Sequence, residues 1–348
     1  LLAAMANTVA GFVWQSVNDP DSALKAAKRA LAAFDGHDRQ LPWFEVATHS
    51  RIGELCLELD RGDEAHEHFA ATLSILDELP GLNAFETGSS AARVRSAMVL
   101  ANLQRGAVDE AEHWLDSSLR ENENGHEHNA DGAVLPMFGV AARAEILLAR
   151  GDIDAGLRLW RQASDALRDP QNPARGSEPF QQSWMLEIEA MTVIAHAQHG
   201  RLALVGQLAG RLPRTASKLI ADTVNGSPMS YSDFPLCGAL LLALAVLELD
   251  RGRRTGDARA TASGARMVAL AERFRFTCGF QPTMSVARVR SLAEQADKPA
   301  YTEAVSEYAG FDVDDLRAAA SAAIHARDQS TQLTQPSQLT PLTEPNPA

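Results

Sequence analysis

Two histidine groups could ligate a metal ion. In the loop Asn124-Gly125-His126-Glu127-His128-Asn129-Ala130-Asp131, local freedom would let His126, His128 and Asp131 converge on one ion. His66-Glu67-His68 falls in a helical stretch, where residues two apart point in different directions, and the HExxH spacing that sets two imidazoles on one face is missing. That second group reads as solvated helix surface. Nucleophilic catalysis would need an activated side chain, yet no serine sits in a G-x-S-x-G turn and no cysteine lies in a recognisable Cys and His arrangement. The carboxylate pairs Asp314 with Asp315 and Glu187 with Glu189 lie in ordinary helical sequence, where they serve solubility and helix-end charge. Gly256 and Gly264, in an Arg-rich helical stretch, do not make a phosphate loop of the Walker type. No catalytic residue, no cofactor and no metal site is therefore assigned; His126, His128 and Asp131 are the metal candidates that remain.

The elements that would position any site are helical. The chain has 348 residues, 45% apolar and only 6% aromatic. Alanine is abundant while Val, Ile and Thr clusters are few, which favours close-packed helices over sheet. By length it holds two compact domains or one elongated array. A net charge of -13 disfavours general attraction to nucleic acid or anionic membrane. Cys56, Cys237 and Cys278 are odd in number and lie within apolar helical patterns, as reduced cytosolic thiols do. Lysine occurs only at Lys25, Lys28, Lys218 and Lys298, an arginine bias that points to a high-GC genome.

The start Leu1-Leu2-Ala3-Ala4 lacks the positive stretch of a secretory signal and reads as a trimmed piece of a longer chain. The longest apolar stretch, Leu236 to Leu249, has 14 residues, short of the roughly 20 that span a bilayer as helix. It is expected to be a buried central helix. Asp328 to Ala348, rich in Gln, Thr, Ser and Pro, is expected to be a disordered tail.

Turns recur between amphipathic stretches at Asn18, Gly62, Gly106, Gly151, Gly200 and Gly252, spaced 44, 44, 45, 49 and 52 apart. Gly or Asn suits the left-handed end of one helix and a following Asp can cap the next, so each unit is an antiparallel helical hairpin. Small residues also recur 12 apart, one per helix: Gly11 with Ala23, Gly53 with Ala65, and Ala144 with Gly156. Such pairs let two helices approach closely where they cross. In the third unit Ala111 faces Val99, which predicts a wider or shifted crossing. The spacing predicts helices at about 2–17, 20–34, 42–60, 63–79, 86–105, 108–121, 133–150, 153–168, 179–199, 201–211, 234–251, 256–275, 282–295, 299–309 and 312–327. Pro170 to Pro179 and Val224 to Asp233 are expected to be linkers or long loops.

This arrangement resembles the tetratricopeptide repeat (TPR), most clearly in Gly106-Ala-Val-Asp-Glu-Ala111-Glu-His-Trp114-Leu115-Asp-Ser-Ser118-Leu119. The period exceeds the usual 34 residues and the terminal Pro of the consensus is largely absent. Extended repeats of this kind are similar to the C-terminal helical region of actinobacterial transcriptional regulators of the Streptomyces antibiotic regulatory protein and maltose-activator-like signalling-ATPase groups. The resemblance implies an all-α, right-handed superhelical solenoid: TPR-like hairpins over 1–170, degenerate repeats and capping helices over 171–327, and the tail over 328–348.

It also implies a non-catalytic, cytoplasmic region that couples a protein, peptide or small effector in a concave groove to upstream DNA-binding and nucleotide-binding domains. The TPR groove positions fall on Phe12, Gln15, Ser50, Glu54, Arg93, Ser96, Phe138 and Glu145. The other readings are a stand-alone adaptor or assembly factor, and a helical enzyme or metal protein. From Arg201 to Arg290 the chain carries 13 basic against 6 acidic residues. Arg251, Arg253, Arg254, Arg259, Arg266, Arg273 and Arg275 are the densest section, a candidate patch for an acidic partner domain or a solvated surface. Neither a membrane nor direct nucleic-acid contact is expected of this chain. The ends of a repeat array need polar capping or a partner, which admits a homodimer.

Overall fold

A computed structural model of the chain describes residues 2–17, 19–34, 41–79, 91–124, 131–168, 179–224 and 233–334, and these are mostly helical with no strand among them. In order the α-helices are α1 (Leu2–Ser16), α2 (Pro20–Phe34), α3 (Pro42–Glu58), α4 (Gly62–Glu78), α5 (Ala91–Gln104), α6 (Val108–Asn124) and α7 (Asp131–Ala149). They continue as α8 (Ile153–Ala166), α9 (Pro179–Gln198), α10 (Gly206–Val224), α11 (Asp233–Thr255), α12 (Ala258–Phe274), α13 (Val286–Tyr308) and α14 (Val313–Thr334). Each helix from α1 to α9 packs against the next in sequence, and α3 with α5 and α5 with α7 also touch. Beyond that, α11 packs on α9, α10 and α12, while α14 lies on α10 and α12.

Of the expected turns, Asn18 lies outside the described residues and three others form for one identifiable reason. Gly106, Gly151 and Gly200 have φ of 73°, 85° and 67°, the left-handed conformation that glycine adopts without steric cost. Asp152 then caps α8 by accepting from the Ala155 amide at 3.2 Å. Two turns differ from expectation. At the second the left-handed residue is Asp60 (φ 56°), and Gly62 is already the first residue of α4. A Cβ on Gly62 would lie 3.0 Å from the Ala101 carbonyl oxygen, so this glycine serves close approach between units. At the last, Gly252 is inside α11 and the left-handed turn is Gly256 (φ 72°).

Small-residue pairing holds in the first and fourth hairpins. A Cβ on Gly11 would stand 3.6 Å from the Ala23 carbonyl oxygen, and one on Gly156 only 2.9 Å from that of Ala144. In the second, Gly53 instead makes room for the Phe69 ring, 2.6 Å from where its Cβ would be. Val99 and Ala111 of the third are both fully buried.

The core is a succession of clusters rather than one centre. Phe34 and Phe44 join the first two hairpins. Ile52, Leu55, Phe69, Leu73 and Met98 fill α2 to α5, and Val99, Leu103, Leu115 and Ile146 fill α5 to α7. The largest cluster runs from α7 to α14 and centres on α11, whose apolar stretch is buried as expected. Gly238 presses that helix against the backbone of Arg275; a Cβ there would sit 1.5 Å from the Arg275 carbonyl oxygen.

The C-terminal third departs most from expectation. The stretch predicted as 201–211 is a short 3-10 turn, Leu202–Val205, followed by α10, which continues through Pro213. The two predicted helices at 282–295 and 299–309 are the two halves of α13, separated at Asp297, whose backbone is non-helical (φ -156°) and whose side chain accepts from the Ala300 amide at 3.1 Å to cap the second half. The predicted start at 282 is displaced to Val286, because Arg275 to Ser285 is irregular backbone. Finally, α14 runs on to Thr334, into the expected tail: the Arg327 guanidinium, 2.9 Å from the buried Glu248 carboxylate, anchors its later turns on α11. Residues 335–348 and the linkers at 169–178 and 225–232 lie outside the described residues. Among the described residues no helix is long and apolar enough to cross a membrane.

Candidate interaction groove

Helix α1 contains no charged residue, and the residues it buries against α2 and α3 are two small ones, Ala4 and Gly11, and the polar Gln15. Its large side chains therefore point away from the core. Met5, Val9 and Phe12 are 51%, 62% and 59% exposed, and Trp43 at the start of α3 is 47% exposed. Together with α3 and the beginning of α5 they enclose a cavity of about 650 Å³.

Five of the sequence-selected positions meet in this cavity: Phe12, Gln15, Ser50, Glu54 and Arg93. Glu54 accepts from Arg93 Nη2 at 2.8 Å and from Arg51 Nη1 at 3.2 Å. The Arg51 guanidinium also stands 6.0 Å from the centroid of the Phe12 ring, at the limit of a cation–π contact. Arg51 Nη2 is buried without a hydrogen-bond partner. Ser50, in the floor, is 3.4 Å from the Thr72 hydroxyl. An aromatic and aliphatic wall thus faces one carboxylate held by two guanidinium groups. That combination suits a ligand with an apolar side chain and an acceptor that can engage arginine.

The remaining groove positions are not part of this opening. Ser96 is half-buried and its hydroxyl donates to the Ala92 carbonyl. Phe138 packs on Phe280 at 5.8 Å, and Glu145 is fully buried, so neither is an open groove residue. The cause is the irregular segment Arg275 to Ser285, which lies over α5, α7 and α9. Phe280 inserts among Phe138, Trp160 and Trp184, with ring centroids 5.8, 6.0 and 5.9 Å away. Glu145 then receives three hydrogen bonds: from Trp160 Nε1 at 2.6 Å, the Thr283 amide at 2.7 Å and the Thr283 hydroxyl at 2.5 Å. Burial outweighs these donors and pushes its carboxyl up to about 7. Further ties run from Gln281 Nε2 to Asp60 (2.6 Å), from Gln198 Nε2 to the Thr283 carbonyl (2.9 Å), and from the Thr277 hydroxyl to Glu187. Sequence reading passes over this segment. Its one legible signal is Phe276 and Phe280 in a short break between helices, where solvent-exposed loops carry polar residues.

The arginine-rich section is dispersed rather than a single free patch. Arg251 and Arg327 both reach Glu248, while Arg253 and Arg254 hold Asp250 at 2.7 Å each. Arg266 pairs with Glu303 and Glu307, and Arg273 donates to the carbonyls of Tyr308 and Phe311. Arg275 stands 3.8 Å from Asp21, and Arg259 is exposed. Most of these charges bind the chain's own acidic or carbonyl groups.

Of the histidines, His66 is half-buried, and His68 is not on open surface: its Nδ1 is 2.9 Å from that of His49 on α3. Burial holds His49 down at about 4 and also lowers His68, so one neutral ring donates to the other. His126 and His128 lie outside the described residues, as does the side chain of Asp131. Among the described residues no three His, Cys, Asp or Glu side chains are grouped to hold a metal ion. Set beside known proteins, the chain matches no family model, no curated protein and no solved structure.

Proposed function

We propose that the chain is a TPR-like, right-handed superhelical array whose groove between α1, α3 and α5 docks a protein, a peptide or a small effector. In this reading it is the cytoplasmic sensing and interaction region of an actinobacterial transcriptional regulator. It acts by linkage: a ligand that binds one arrangement of the hairpins more tightly biases the DNA-binding and nucleotide-binding domains of the parent between two states. The observation that carries the reading is the convergence of Phe12, Gln15, Ser50, Glu54 and Arg93 on one cavity. Sequential hairpin packing and the row of core clusters support the array. The pairing of Arg253, Arg254 and Arg266 with the chain's own carboxylates supports a scaffold held in part by its own charges.

The test is a promoter reporter driven by the parent protein. Phe12→Asp and Arg93→Glu, both at exposed positions, should abolish the response to the natural signal while far-UV circular dichroism stays unchanged. An undiminished response in both variants would remove the groove reading. Absence of a winged-helix or nucleotide-binding segment from the parent gene would remove the regulator reading and leave the scaffold.

A further inference from the structure

Helix α1 is inside-out for a surface helix. Its buried residues are small or polar, whereas Leu2, Val13 and Val17 at its edge are 83%, 57% and 53% exposed, beside Met5, Val9 and Phe12. Leu2, Met5, Val9 and Phe12 follow a 3-4-3 spacing, the seam along which two helices interlock. We propose that a second copy of this chain docks on this face, α1 crossing α1 in antiparallel order about a two-fold axis near Val9. The proposal rests on reading this end of the chain as a docking surface and names what docks there.

Three observations favour a second copy over other occupants. First, size: aromatic side chains present roughly 150–250 Å² each, and the exposed fractions of these six residues and Trp43 amount to on the order of 800 Å². That is the share each partner contributes to a standard interface, and the fractions run from 47% to 83%. Second, charge: the chain carries -13 overall, so two copies repel except where the surface is neutral, and α1 has no Asp, Glu, Lys, Arg or His. Self-pairing there desolvates no ion and opposes no like charges. Third, symmetry: the central pair, Val9 and Phe12, is flanked on both sides by aliphatic residues, so the stripe is complementary to its own reversed image, as a two-fold interface requires. Antiparallel crossing also opposes the two helix dipoles.

Sedimentation equilibrium of the intact chain from about 1 to 100 µM is the test. The expected mass is twice 37.5 kDa. Val9→Glu places the new charge against its own symmetry mate and should weaken dimerisation at least about 100-fold without changing the helical signal. Val9→Cys should form an intermolecular disulfide under mild oxidation, since Cys56, Cys237 and Cys278 are all buried and do not compete. Leu2→Cys should not, because in antiparallel order the two Leu2 positions lie roughly 20 Å apart along the axis. A mass of 37.5 kDa throughout the range, or a dimer that survives Val9→Glu, overturns the proposal. The former assigns the face to another segment or another protein and leaves the reporter test of the groove standing.

Discussion

Glu145 offers the sharpest test of how this fold is held. Its carboxylate is fully buried and ties α7 to Trp160 of α8 and to Thr283 of the irregular segment. Glu145→Ala would leave the Trp160 indole N–H and the Thr283 amide without acceptors. At roughly 1–3 kcal/mol for each orphaned buried donor, plus a cavity, the cost is on the order of 3–5 kcal/mol. The pH dependence comes from the raised carboxyl, about 7 against an ordinary 4.5. Between those values the folded chain keeps a proton that the unfolded chain has released. Stability is therefore complete below pH 4.5 and declines as pH rises through 7. At 1.36 kcal/mol per pH unit, that window corresponds to about 3 kcal/mol. Burial raises Glu58, Glu187 and Glu248 as well, so the wild-type slope is shared. Comparison with Glu145→Gln isolates the one group. Guanidinium denaturation from pH 4.5 to 8 should show a shallower decline for Glu145→Gln, and hydrogen exchange at the Thr283 amide should accelerate in both variants. Equal pH slopes for wild type and Glu145→Gln, or an alanine variant within 1 kcal/mol of wild type, would refute the argument.

Phe280→Ala empties the space among Phe138, Trp160 and Trp184 and should cost about 3–5 kcal/mol, read as a lower denaturation midpoint. Gly156→Ala, whose Cβ would meet the Ala144 carbonyl oxygen, should destabilise by about 1–3 kcal/mol in the same assay. Gly210→Ala, facing open space on α10, should instead stabilise by about 0.5–1 kcal/mol. Burial pushes the Cys56 and Cys278 thiols up to about 12, so iodoacetamide at pH 8 should modify both slowly in the native chain and rapidly in denaturant.

Much of the helical register is legible because local rules act locally. Gly106, Gly151 and Gly200 end helices for the same steric reason wherever they occur, and Asp152 caps the helix after its turn. Helices α1 to α4 and α6 to α8 begin and end within a few residues of the expected limits. The features that local rules miss depend on distant partners. Arg327 extends α14 by reaching a carboxylate on α11, and Phe280 finds three aromatic rings from three other helices. The groove shows both sides. Position within the expected repeats selects Phe12, Ser50 and Arg93, which line one cavity, but Phe138 and Glu145 obey the same positional rule and are covered, because a segment from the far end of the sequence lies over them.

That crossing segment also sets a schedule for synthesis. Thr283 comes 138 positions after Glu145, and Gln281 comes 221 after Asp60. At ribosomal speeds of about 5–20 residues per second, roughly 7–28 s separate the appearance of the acceptor carboxylate from that of its two Thr283 donors. Until then the nascent hairpins carry an unfilled aromatic hollow, and their completion is timed by the arrival of the last third of the polypeptide.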